Sequence, residues 1–481
     1  MKHRLAAKFT GGLAALMLAG CAAGPSYQRP NAPLAGNWDT EPGWQAGSPR
    51  DGDLKGAWWQ IYRDDILSAL EERALQSGQS LRIAQARVDQ ARAQADVANS
   101  AFFPRLGLQG GAARNHTSAQ RPQSSYGVPA SSVTQNDFNG SFVVSYEPDL
   151  FGRVRSQARA AAAGAEQVQA DFENTRLILT AELAADYFAL REVDTEIDIL
   201  RRTLAAQQNG LDFIRARYEL GAGLALDLKQ QQARVAATQT QLTLLADQRS
   251  RYVHAIATLV GTPAPGFSLA AEATMSTIPA IPLVAPSTLL ERRPDIAAAE
   301  RAMAASNVQI GVARSAYFPA LQLTAQYGSD ANQWGRLFTA PSMLWALGIG
   351  ATQTLFDAGR TRANVAIAEA GYQQAVASYR QTVLVAMQEV QDGLDGTANL
   401  QQAMTSAKIA TDNAAEVLAL TNERYAAGIA THFEVVLAEE TFLGYQRQYA
   451  QQHGQQLLNS VRLIKALGGG WQSGAGSAKL P

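Results

Sequence analysis

Phe102-Phe103-Pro104, Leu150-Phe151 with Arg155, and Arg217-Tyr218 with Gly221 recur in the same order as Tyr317-Phe318-Pro319, Leu355-Phe356 with Arg360, and Arg424-Tyr425 with Gly428. The separations are nearly preserved, so the 481-residue chain carries two copies of one plan. A period of roughly two hundred residues is far longer than a solenoid unit. Each copy is therefore a half with several elements, and two halves build one pseudo-symmetric object.

Proline marks where long helices can run, because it breaks helix interiors. It is absent from residues 149–262 and 342–480, and both tracts are rich in Ala, Gln, Leu, Arg and Glu, which are good helix formers. Ile197, Leu200, Leu204, Leu211, Ile214 and Tyr218 fall on alternating three- and four-residue steps with Gln207 in the gap, which is coiled-coil periodicity. Met404 to Tyr425 carries more Ala and Thr at the matching positions, so its seam is expected to be shallower. The pattern predicts helices over 152–219 and 226–260, and their equivalents over 360–426 and 431–467. At 1.5 Å per residue the longer ones reach on the order of 100 Å, more than a compact domain requires, so they bridge a distance.

Between the helices the period changes to two. Phe142, Val144 and Tyr146 alternate with Ser141, Val143 and Ser145; Leu321, Leu323, Ala325 and Tyr327 alternate with Gln322, Thr324, Gln326 and Gly328; Trp345, Leu347 and Ile349 alternate with small residues. The segment 105–114 fits less cleanly, with only Leu106 and Leu108 strongly apolar. One apolar face and one small or polar face is the pattern of a transmembrane barrel strand. Each half thus offers two strands joined by a polar loop, 115–137 or 329–343, with edge strands expected near 105–114 and 345–356. Aromatics at Phe102, Phe103, Phe151, Tyr317, Phe318 and Phe356 stand where helix meets strand, as an interfacial belt does. Four strands do not close a barrel, for which about eight are the usual minimum, so closure requires several chains.

Lys2, Arg4 and Lys8 precede a short apolar run from Phe9 to Ala19, which reads as a signal for export. The run ends in Leu18-Ala19-Gly20-Cys21, and Cys21 is the only cysteine, so disulfides and thiol catalysis are excluded from the rest of the chain. A formal net charge of −1 without a long basic run argues against nucleic acid as a partner. The histidines at 3, 116, 254, 432 and 453 have no metal-ligand spacing, and neither a nucleophile elbow nor a P-loop occurs, so no enzyme is visible. His432, near a hairpin tip, is expected to be solvated.

These features together resemble a known family. Leu18-Ala19-Gly20-Cys21 is similar to a bacterial lipoprotein signal, in which the thiol receives diacylglycerol and the new N-terminus an acyl chain; Ala22 after it favours the outer membrane. With Tyr27-Gln28-Arg29-Pro30, Arg292-Arg293-Pro294-Asp295-Ile296, the paired Phe-Phe-Pro and Tyr-Phe-Pro, and the Leu-Phe entries to the long helices, the chain resembles a TolC-like outer-membrane factor of the OprM/NodT lipoprotein type. The resemblance implies a homotrimer: four strands per chain in a 12-stranded transmembrane β-barrel, continuous with a long periplasmic α-helical barrel. It implies an exit duct for a tripartite efflux pump, with a periplasmic adaptor and an inner-membrane transporter of the resistance-nodulation-division type as partners. The same duct type also serves type I protein secretion or heavy-metal export, and a lipid-anchored coiled-coil scaffold without a pore is the reading from another class.

On this plan residues 1–20 are the signal peptide, 21–77 an anchor and equatorial segment, 78–262 the first repeat, 263–293 an equatorial linker, 294–467 the second repeat and 468–481 a tail. Gly221 and Gly428 stand where a long helix must end and reverse, and the resemblance makes these tips the adaptor contact. Asp227 and Glu434 each follow their tip glycine by six residues, and in a threefold assembly each becomes a carboxylate ring. With Phe433 as an apolar constriction they are the expected periplasmic gate. Some relatives of this kind carry a basic residue near the second tip that locks neighbouring helices; Ile429-Ala430-Thr431 offers none.

Overall fold

The structure is a computed structural model that describes Tyr27 and residues 56–119, 132–274, 276–279, 281 and 292–469. The signal segment, Cys21, the Gln28-Arg29-Pro30 motif, most of the 263–293 linker's second half and the tail beyond Gly469 lie outside the described residues. The chain divides into two compact units, one of 1–30, 89–167 and 299–378, the other of 31–88, 168–298 and 379–481.

The duplication extends to helix length. After a short α1 (Asp65–Ser77), the first half has α2 (Gln79–Ser100), α3 (Arg153–Glu219) and α4 (Ala225–Leu259), of 22, 67 and 35 residues. The second half has α5 (Pro294–Ser315), α6 (Arg360–Ala426) and α7 (His432–Ala466), again of 22, 67 and 35 residues. The four helices expected from the proline-free tracts are thus present to within one residue at each end. Both long helices start on a carboxylate: Asp149 accepts from the amides of Val154 (3.1 Å) and Arg155 (2.8 Å), and Asp357 from those of Gly359 (3.0 Å) and Thr361 (2.8 Å). An anion there satisfies amides that have no partner inside the helix. Among the described residues no helix is long and apolar enough to cross a membrane.

In the first unit, β1 (Arg105–Thr117), β2 (Val133–Tyr146), β3 (Ala320–Ala331) and β4 (Met343–Thr352) form one antiparallel sheet in the order β1-β2-β3-β4. The register lines up the apolar positions in cross-strand rows: Leu106, Val144, Ala325 and Leu347; Leu108, Phe142, Tyr327 and Trp345; then Tyr146, Leu323 and Ile349. All therefore share one face, and Trp345, Leu347 and Ile349 are each more than 70% exposed on it. The opposite face carries Gln109, Ser141 and Gly328, or Ser145, Thr324 and Gly348. A side chain at Gly328 would collide with the Gly140 carbonyl and Ser141, so this glycine lets the strands approach. At the sheet's base Phe151 stacks on Phe318 at 5.0 Å, while Phe103, Leu355 and Phe356 are exposed.

The strands differ from expectation at their ends. The loop expected over 115–137 is shorter, because β1 runs to Thr117 and β2 begins at Val133; in the other half β3 runs to Ala331, followed by 3-10 turns at Trp334–Arg336 and Ala340–Ser342. Main-chain pairing continues through polar residues such as Asn115 and Gln135, which have no apolar signature. The last strand stops at Thr352, so Leu355-Phe356 belong to the connection and not to an edge strand.

The second unit has its core around Trp58, Tyr62, Leu67, Leu183, Tyr187, Phe188, Ile256 and Ile464. Several of its polar groups are paired across elements: Trp58 Nε1 donates to Thr180 Oγ1 (3.1 Å), Tyr187 to Asp64 (2.8 Å), and the Tyr62 and Ser460 hydroxyls meet at 2.7 Å, whereas Trp59 Nε1 and the Glu71 carboxylate are buried without a hydrogen-bond partner. The Arg292-Arg293-Pro294-Asp295 motif has a structural task here. Buried Arg293 donates to Asp295 (2.7 Å), to Glu389 on α6 (2.6 Å) and to the Ala466 carbonyl at the end of α7 (3.0 Å). One guanidinium thereby fastens the start of α5 to both later helices, using the fork of donors that only arginine presents.

Candidate functional site

The tips of both helical hairpins belong to the second unit, and they reverse in the same way. At the first, Gly221 has φ +76°, its amide donates to the Tyr218 carbonyl (2.9 Å), and the Ala222 amide donates to that of Arg217 (2.8 Å). At the second, Gly428 has φ +74°, its amide donates to Tyr425 (2.9 Å), and that of Ile429 to Arg424 (2.8 Å). A left-handed residue just past the helix, closing two bonds back onto the last turn, is the reason both positions are glycine. Neither glycine has any atom near the place a Cβ would occupy. Backbone conformation alone selects them, and both tips are free to meet another surface.

The side chains at the two tips differ. α7 opens with a capping box: the Glu434 amide donates to Thr431 Oγ1 (3.3 Å), and Glu434 Oε1 accepts from the Thr431 amide (3.1 Å). That bond to the Thr431 backbone, then the Thr431 hydroxyl, and then the charge of Arg424 hold the Glu434 carboxyl below its usual range. α4 opens on Leu224 without any side-chain cap, and Asp227 in its first turn is exposed. Phe433 is 55% exposed, and the Arg234 guanidinium lies 5.6 Å from the centre of its ring.

Ile429-Ala430-Thr431 offers no base, but Arg234 brings one to the second tip from another element. It stands on α4, in the other hairpin, and besides covering Phe433 it pairs with Glu440 on α7 at 3.2 Å. Glu440 also accepts from Gln207 of α3 (3.1 Å); the Gln207 carbonyl groups in turn accept from Thr238 (2.8 Å, side chain) and Gln231 (2.8 Å, main chain). Gln207, Gln231 and Thr238 are buried. One polar cluster thus joins α3, α4 and α7, and it is centred on the polar residue that interrupts the coiled-coil steps. Further along, Arg447 donates to Glu196 at 2.8 Å.

His432 is a correction to the sequence reading. It is packed rather than solvated, its ring 4.6 Å from that of Phe213 on α3 and 5.7 Å from that of Tyr425 on α6, and its Nε2 is buried with no hydrogen-bond partner. The seam of α3 follows the expected steps at Ile197 and Leu200, continues through buried Thr203, Gln207 and Gly210, and leaves Tyr218 exposed. The matching stretch of α6 is shallow as expected: Ala407 and Ala414 are buried while Val417 and Leu420 are over half exposed. A cavity of about 510 Å³ opens there between α6 and α7, lined by Ala414, Val417, Thr421, Leu437 and Tyr445 among others.

Comparison with known proteins agrees with this architecture. The toluene efflux pump outer membrane protein TtgF of Pseudomonas putida is 31% identical over 463 residues, covering 95% of each chain. The pyoverdine export outer membrane protein OpmQ, also of Pseudomonas putida, is 32% identical over 418 residues, covering 86% of this chain and 88% of that protein. The solved outer-membrane channel OprN superimposes with a TM-score of 0.81 at 29% identity, covering 94% of this chain and all of that one. The solved neighbours are channels that combine a β-barrel with a long α-helical barrel, and the strands and helices described above are the corresponding parts. The outer membrane efflux protein family matches residues 70–262 and 285–469, and the chain belongs to it: it is an outer-membrane efflux channel with a large periplasmic portion.

Proposed function

We propose that three copies of this chain form one passive exit duct, open to the exterior through a 12-stranded barrel and closed at the periplasmic end by the hairpin tips. The observation that carries this reading is the sheet with two open edges. Strands β1 and β4 each have one unpaired side, and the apolar rows of Leu106 and Leu108 run across all four strands. Unpaired main-chain groups are not tolerated in lipid. In a meander of four, β4 of one copy is antiparallel to β1 of the next, so copies join without altering the pattern. The number three comes from the family resemblance.

A periplasmic adaptor docks on the tips at Gly221 and Gly428, and an inner-membrane transporter of the resistance-nodulation-division type drives the flow. Relatives of near-equal identity are named for toluene and for pyoverdine, so cargo choice is assigned to the transporter, and the duct passes small organic compounds without chemistry of its own. Asp227, Glu434 and Phe433 form the gate. Cys21 carries the lipid, as a thioether to diacylglycerol with an acylated amine, and supplements the barrel as anchor. The test is expression in a strain that lacks its own outer-membrane factor, with the native mass of the solubilised protein measured alongside. Three chains per particle and restored tolerance to toxic organics support the reading; a single-chain particle, or trimers in the membrane without restored export, contradict it.

A further inference from the structure

His432 occupies a place that suits a neutral ring and not a charged one. It is the first residue of α7, where the helix presents its positive end. Phe213 of α3 and Tyr425 of α6 flank it, and Gly210 of α3 faces Nε2 with no side chain, 3.5 Å from where a Cβ would stand. Neutral imidazole has one donor and one acceptor, whereas the protonated ring has two donors and a charge. With Nε2 buried and without a partner, a second N–H has nowhere to go.

The charged groups around it do not help. Arg217 of α3 sits 6.0 Å from the Phe213 ring, Arg424 of α6 acts on Glu434, and Arg234 of α4 covers Phe433. Against these cations stand Glu434, committed to the Thr431 cap, and Asp227, exposed at the start of α4. Faces of Phe213 and Tyr425 attract a cation, but the helix end and the arginines oppose it. Burial accordingly holds the ring's proton affinity below that of an ordinary histidine.

We propose that His432 makes the contact between the two hairpins acid-sensitive: the neutral ring is the wedge that seats α7 against α3, and protonation unseats it and widens the periplasmic aperture. The inference rests on the tips being the gate only for its last step. The sign follows from the location of the proton. The unseated ring binds it more readily than the seated one, so the contact is intact near neutral pH and is lost as the pH falls below about 6.5, the ordinary histidine value. An efflux duct would then open more readily when the periplasm acidifies.

The experiment uses full-length protein with Cys21→Ser and spin labels at Ala222→Cys and Ala427→Cys, both exposed beside the tips. The distance between tips and the single-channel open fraction in planar bilayers are read at a pH of about 7.5 and about 5.5. The expected result is a wider separation and a severalfold higher open fraction at the lower pH, with His432→Phe closed at both. His432→Gln serves as a second uncharged variant should the phenylalanine be accommodated poorly. Burial raises Asp186 to about 6 and Glu192 to about 7, so these also titrate in this window, but they are present in every variant and cancel in the comparison. Tips that separate in acid without a change in conductance would uphold the wedge and remove the gate from the tips. An equal response in the wild type and both variants, or no response in the wild type, would overturn the proposal.

Discussion

The two hairpin tips have the same backbone and different side chains. Gly221 and Gly428 share φ to within two degrees and close the same pair of bonds, and a guanidinium lies over an aromatic ring near each, yet only the second tip has a capping box and a buried histidine nitrogen. The first has an uncapped helix start and an exposed carboxylate in Asp227. What was duplicated is the chain reversal, which demands only a residue tolerant of positive φ. The side-chain chemistry at the tips was not duplicated, and it is concentrated on α7, held in place by groups from α3 and α4.

The largest effect is expected at the cluster between the hairpins. Glu440→Ala removes the carboxylate that both Gln207 and Arg234 reach. Leaving buried polar groups without partners costs about 1–3 kcal/mol each. We expect a marked loss of thermal stability of the hairpin unit and a constitutively leaky channel, measured as antibiotic sensitivity of the host and as raised conductance. Gln207→Leu added to Glu440→Ala should restore part of the stability, because the seam then no longer carries an amide that has lost its carboxylate. A pore that remains tight in Glu440→Ala would mean that α7 is not held by the first hairpin.

The sameness of the backbones is tested next. Gly221→Val and Gly428→Val each force a β-branched residue into the left-handed region, at roughly 1–2 kcal/mol. Equal losses at both tips, with trimers still reaching the membrane and export abolished, are expected; normal export with both replaced would leave these glycines only their capping role.

Smaller effects sharpen the difference. Phe433→Ala should raise single-channel conductance about twofold by removing the apolar group at the aperture. Thr431→Ala removes the cap of α7 and should lower stability by about 1 kcal/mol, whereas Leu224→Ala at the equivalent place on α4 should change it little. Hydrogen exchange of the first turns of α4 and α7 would reveal this asymmetry directly.

Most of the fold was legible. Two long proline-free tracts gave the helices to within a residue, and period-two alternation gave the phase of β2, β3 and β4, since Leu347 and its row neighbours do share one face, whereas β1 offered only Leu106 and Leu108. Strand ends were not legible, because Asn115 and Gln135 pair through main-chain groups that any residue supplies. At the site, the glycines were visible as repeated punctuation. Arg234 and Glu440 were not, because a contact between residues in opposite halves of the chain leaves no local pattern. Gln207 was the one visible clue: a polar residue in an apolar seam must find partners there, and those partners lead to Glu440. His432 gave no clue, because its burial depends on Phe213 and Tyr425 from two other helices.

On the proposed reading the gate lies at the tips and is charged by Asp227 and Glu434. Its most direct test is the cation-to-anion permeability ratio of the reconstituted channel, from the reversal potential across a salt gradient, in the wild type and in Asp227→Ala combined with Glu434→Ala. The account predicts a cation-selective wild type and a double variant with selectivity reduced severalfold, with assembly unchanged. An unaltered reversal potential in a correctly assembled double variant would contradict it and place the narrow charged aperture elsewhere in the duct.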